Sequence, residues 1–70
     1  MNINKALDKA YEGKTFKELV DAPVDALSGV SKNDAVALKE SFGVETIGDF
    51  AKLKYVKWAQ AIVELAGEEE

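Results

Sequence analysis

The chain has no cysteine, no histidine and no arginine, and a single proline, among its 70 residues. Without cysteine there is neither a disulfide nor a thiolate metal site. Without histidine the commonest general base and the commonest metal ligand are missing. All nine basic residues are lysine, so the bidentate grip of a guanidinium on phosphate or guanine is absent. No apolar run approaches the roughly 20 residues of a membrane span. The opening, MNINKALDKAYEGK, has no apolar stretch of signal-peptide length. A cytoplasmic protein that does not touch membrane is the expectation.

A length of 70 residues allows one domain, which would bury roughly 60% of its unfolded surface and hold only a few kcal/mol of stability. The hydrophobic fraction of 47% is that of a folded chain. Net charge is −4, unevenly spread. Residues 1–26 carry four lysines against five acids, residues 27–66 carry five against five, and Glu68, Glu69 and Glu70 supply the other −3. The body is near neutral, and the acidity collects in a 67–70 tail expected to be disordered and solubilising.

Helical signals recur along the chain and nothing competes with them. There is no sustained alternation and no Asn-Gly or Asp-Gly hairpin turn. Asn4 suits an N-cap for a helix over 5–12 that ends at Gly13. Ile3, Leu7, Ala10 and Tyr11 would form its thin apolar stripe, so residues 1–14 are expected to pack loosely. Thr15 and Glu18 have capping-box spacing and open a helix of one to two turns. That helix must stop near Ala22, because the residue before Pro23 avoids helical geometry. Pro23 then suits the first position of a new turn over 23–27, pointing Val24 and Leu27 inward.

Ser31 and Asp34 make a second box, for a helix over 32–41 with Ala35, Leu38 and Phe42 as its buried stripe and Gly43 as its end. Thr46 and Asp49 make a third, for a helix over 47–53 with Ile47, Phe50 and Leu53 three apart. The longest helix, over 54–66, is apolar around most of its circumference. Such a helix is normally central, so the shorter ones are expected to wrap it. Gly29-Val30 and Gly43-Val44 echo each other fourteen residues apart; shared capping chemistry accounts for this as well as duplication does.

The segment from Val24 to Leu53 resembles the helix-hairpin-helix superfamily. Leu27-Ser28-Gly29-Val30-Ser31 stands at the hairpin, Ala35 and Leu38 at the inward helix positions, and Gly43-Val44-Glu45-Thr46-Ile47-Gly48-Asp49-Phe50 at a second turn. The resemblance implies an all-α fold of about five short helices with a helix-hairpin-helix-like centre packed on a longer C-terminal helix. It also implies phosphate contacts at Gly29, Val30, Ser31, Lys32 and Asn33, where backbone amides and a helix dipole would face an anion. Two departures are visible: the second hairpin glycine is Ser31, and Asp34 sits where it would repel phosphate.

Lys52, Lys54 and Lys57 interleave with Tyr55 and Trp58, a pattern that fits single-stranded nucleic acid. The favoured reading makes Tyr55 and Trp58 core anchors of a small domain short of large residues, with the lysines on the rim. Trp58→Ala would then cost about 3–5 kcal/mol. The carboxylate pairs Asp21/Asp25 and Asp8/Glu12 come with no nucleophile, base or calcium loop. No phosphate loop or nucleophile elbow is present. The expectation is a monomeric, non-enzymatic interaction module without cofactor or metal. Its leading partner is a protein, with weak nucleic-acid backbone binding through Gly29 to Asn33 as the competing reading. Self-association through Trp58, Tyr55 or Phe42 is the third.

Overall fold

The computed structural model describes residues 2–69. Four α-helices follow one another: α1 (Phe16–Val20), α2 (Lys32–Phe42), α3 (Ile47–Ala51) and the longer α4 (Lys54–Ala66). Two 3-10 turns, Ile3–Ala6 and Lys9–Tyr11, precede α1, and a third, Val24–Ala26, lies between α1 and α2. Among the described residues there is no β-strand, and the fold is all-α.

The three boxes form as spaced. Thr15 Oγ1 accepts from the Glu18 amide at 3.2 Å, and Glu18 accepts from the Thr15 amide at 3.0 Å. Ser31 and Asp34 exchange the same pair of bonds at 3.0 Å each. Thr46 Oγ1 accepts from the Asp49 amide at 3.0 Å, while Asp49 accepts from the amides of Glu45 and Thr46. Each box satisfies amides that the first helical turn leaves without a partner. Gly43 ends α2 at φ +68°, in the left-handed region open to glycine.

The core lies between helices more than within them. Its buried apolar residues are Leu7, Leu19, Ala22, Val24, Ala26 and Val44, and of these Leu19 alone belongs to an α-helix. Val24 and Val44 are each 1% exposed. The connecting segment 22–28 bonds to two distant pieces of chain. On one side the Val24 amide donates to Glu45 O (3.0 Å) and the Ile47 amide to Ala22 O (2.9 Å); on the other the Asp8 amide donates to Ala26 O (2.7 Å) and the Ser28 amide to Ala6 O (2.8 Å). Isolated bridges Pro23–Thr46 and Leu7–Leu27 mark the two seams. Alanine at positions 22 and 26 lets the backbones approach, and the valines fill the space between. Gly48 is buried where α3 meets α1: a Cβ there would stand 2.8 Å from Val20 Cγ1 and 3.0 Å from Val20 O.

Several expectations need correction. No helix spans 5–12. The chain forms two 3-10 turns separated by extended backbone at Leu7 and Asp8. An eight-residue helix with a thin stripe is marginal, and burying Leu7 while pairing it with Leu27 costs no helix worth keeping. The N-terminal segment is tied to the connector at residues 6–8, and apart from Leu7 its described residues are exposed or half-buried. Asn4 is not a helix cap; its Oδ1 accepts from the Gly13 amide at 3.2 Å. Pro23 precedes its 3-10 turn instead of opening it. Phe42 is exposed, outside the stripe that keeps Ala35 and Leu38 half-buried. The turn after Ala66 continues, with the Glu68 and Glu69 amides donating to Leu65 O and Ala66 O; Glu70, the end of the expected tail, lies outside the described residues.

The largest correction concerns α4. Its bounds are as expected, but the other helices do not wrap it. It contains no buried residue, and from Lys57 onward every described residue is exposed. It meets α3 and the end of α2 through its first turn, where Val56 is half-buried and Tyr55 faces Phe42. The molecule is correspondingly elongated, 43 × 31 × 20 Å, with a radius of gyration of 13.8 Å against about 11 Å for a compact domain of this length.

The carboxylates of the first and third boxes make a pH prediction. Hydrogen bonds from the Thr15 amide, then from its hydroxyl, hold Glu18 below its ordinary value of 4.5. Those from the Glu45 and Thr46 amides hold Asp49 below 3.8. A carboxyl whose folded value is lowered supports the fold above its ordinary value and loses that support as pH falls through the lowered one. The titration midpoint reported by the Thr15 amide should lie below 4.5, and that reported by the Glu45 and Thr46 amides below 3.8. An NMR pH titration checks this; a Thr15 midpoint at or above 4.5 would contradict it.

Candidate interaction surface

Two groups of candidate residues can be placed. The hairpin has the backbone its glycine promises, with Gly29 at φ +94°. Its amides are largely engaged: Val30 donates to Leu27 O, and Ser31 donates to the Asp34 carboxylate. Lys32 and Asn33 open α2 and are exposed. The hollow beside the hairpin, about 350 Å³, is lined by Asp8 and Asp25 together with Ser28, Gly29, Val30 and Ser31. Asp8 and Asp25 thus border the place where a phosphate would sit, the Asp34 carboxylate already occupies the Ser31 amide, and like charge opposes an anion there. Among the described residues no group of three or more acids is placed to hold a metal ion.

The second group is assembled by α4. Tyr55 and Trp58, three apart, share a face; their rings meet edge to face, 5.7 Å apart at 87°. Phe42 extends the row, 6.3 Å from Tyr55. Lys54 Nζ lies 5.3 Å from the Tyr55 centroid and 5.5 Å from that of Trp58, within cation–π range of both. Lys54, Tyr55 and Trp58 are therefore brought together as the sequence suggested. Lys57 lies further round α4, and Lys52 caps the end of α3. The hairpin does not join them. It stands at the start of α2 and the aromatic row at Phe42, its end. Eleven residues separate the two, roughly 16 Å along the helix, so one phosphate cannot touch both.

Trp58 is not a core anchor: it is 56% exposed. The apolar stripe continues past it through Ile62 (66% exposed), Val63 (74%) and Leu65 (64%). Composition alone missed this surface, although its signal was present: a helix apolar around most of its circumference, in a chain with few other large residues. A further apolar hollow of about 220 Å³ opens between Ile3, Phe16, Val20 and Ile47.

The chain matches no family model, no curated protein and no solved structure.

These placements set an order for two substitutions. Val44→Ala empties space in a fully buried position and should cost about 1–3 kcal/mol. Trp58→Ala in dilute solution removes a ring already half in water and should cost less than about 1 kcal/mol, not the 3–5 expected of a core tryptophan. Thermal melts of the two variants at low concentration check this; a Trp58→Ala protein that melts earlier than Val44→Ala would contradict it.

Proposed function

We propose that the chain is a small, cytoplasmic, non-enzymatic interaction module that binds protein through α4 and takes no cofactor. One observation carries this reading: Trp58, Ile62 and Leu65 share a face of a 13-residue helix, with Val63 beside it, and every described residue from Lys57 onward is exposed. Exposed contiguous apolar surface of this kind marks contact sites, and tryptophan and tyrosine are the residues that anchor them. In the same reading the centre of the chain is a divergent helix-hairpin-helix-like unit that serves as scaffold.

Nucleic-acid backbone is the competing partner, and Lys54 lying over Tyr55 and Trp58 is what favours it. Two features weigh against it. Glu64 near the end of α4 and Glu68 and Glu69 just past it repel phosphate, and the hairpin hollow is lined by aspartates.

The partner classes separate by salt, because phosphate contacts weaken steeply as salt rises. In an amide-resolved NMR titration with a short duplex and a single strand, Gly29, Val30, Ser31, Lys32 and Asn33 should not shift even at low salt. Shifts there, or at Lys52, Lys54 and Lys57, that collapse at moderate salt would overturn the protein-binding reading.

A further inference from the structure

We infer that the partner of α4 is a second copy of this chain, paired antiparallel about a two-fold axis near Gln60. The inference rests on the reading of α4 as a protein-contact surface and names what covers it.

Area is the first ground. The chain exposes 5685 Å², whereas a folded monomer of 7.6 kDa should expose about 4300 Å². The excess, roughly 1400 Å², exceeds the ~800 Å² that each partner contributes to a standard interface. That excess is spread over the whole chain, and the exposed apolar side chains of α4, Trp58, Ile62, Val63 and Leu65, contribute to it.

Charge is the second ground, and it is independent. Lys54 and Lys57 sit at the start of α4, with no acid in its first turn. Glu64 sits in its last turn, which holds no base, and Glu68 and Glu69 follow just past its end. Every one of these charges opposes the helix dipole, which favours acids at the start and bases at the end. An isolated α4 is therefore wrongly charged at both ends. A second α4 running the other way places its acidic end beside the basic start of the first, twice over, because a two-fold interface repeats each contact.

Register follows from helical spacing. Tyr55, Trp58, Ile62 and Leu65 repeat at three, four and three residues, the seam of a helix pair. With the axis near Gln60, Trp58 stands opposite Ile62 of the other copy and Tyr55 opposite Leu65. Lys54 then stands opposite Ala66 of the other copy, and Glu68 lies in the turn just past that residue, so each Lys54 falls near the opposing Glu68. Within one chain the two lie at opposite ends of α4, roughly 20 Å apart, too far to interact.

Sedimentation equilibrium of the full chain, from micromolar to millimolar, is the test. The unaltered protein should approach twice 7.6 kDa at the upper end, and Ile62→Asp should stay monomeric. Lys54→Glu and Glu68→Lys should each weaken the dimer roughly three- to tenfold, although each improves the fit of α4 to its dipole and should leave helical circular dichroism equal or higher. The double swap should restore the dimer. A monomer at every concentration, a dimer indifferent to Ile62→Asp, or single swaps that the double does not rescue would overturn the pairing. A monomer whose α4 remains helical would leave protein binding in place with a different partner; salt-sensitive shifts on added DNA are what would remove that reading.

Discussion

The structure depends on the backbone pairing of one connector. Segment 22–28 is held on one side by the 44–47 segment and on the other by residues 6–8, through four hydrogen bonds of 2.7 to 3.0 Å. Five of the six buried apolar side chains belong to these three pieces. The α-helices decorate this knot more than they build it. Helices of five residues, such as α1 and α3, cannot stand alone; they persist because capping boxes satisfy their first amides and because Leu19 and Gly48 hold them to the knot.

That arrangement explains which parts of the fold were legible. Capping is local chemistry, so Thr15 with Glu18, Ser31 with Asp34 and Thr46 with Asp49 announced three helix starts correctly. Gly43 and Gly67 announced two ends. The pairing of Leu7 with Leu27 and of Pro23 with Thr46 is non-local and only one or two residues wide, too short to leave an alternating pattern. The same Leu7 that completes a plausible helical stripe with Tyr11 also suits an extended bridge, and tertiary burial decided between them.

For α4, periodicity showed that the helix is apolar and where it begins and ends. It could not show whose surface covers it. The habit of placing such a helix at the centre assumes that the chain itself supplies the cover, and here the short helices are engaged with the connector instead. The electrostatic pattern is the more informative signal in retrospect. A helix charged against its own dipole at both ends is explained by a neighbour that runs the opposite way, and that pattern is readable from Lys54, Lys57, Glu64, Glu68 and Glu69 without coordinates. The hairpin illustrates the reverse case: Gly29 has the expected backbone, yet Asp8, from outside the motif, and Asp25, from its edge, border the hollow beside it and change its electrostatics.

The central claim is that the outer face of α4 is covered by a second molecule and not by its own domain. Amide hydrogen exchange at two concentrations tests it most directly, with Val24 and Val44 as internal references. Exchange at the amides of residues 60–66 should be slow in concentrated protein and quicken on dilution, while that of the two valines stays the same. Protection in α4 that does not change with concentration would contradict the claim.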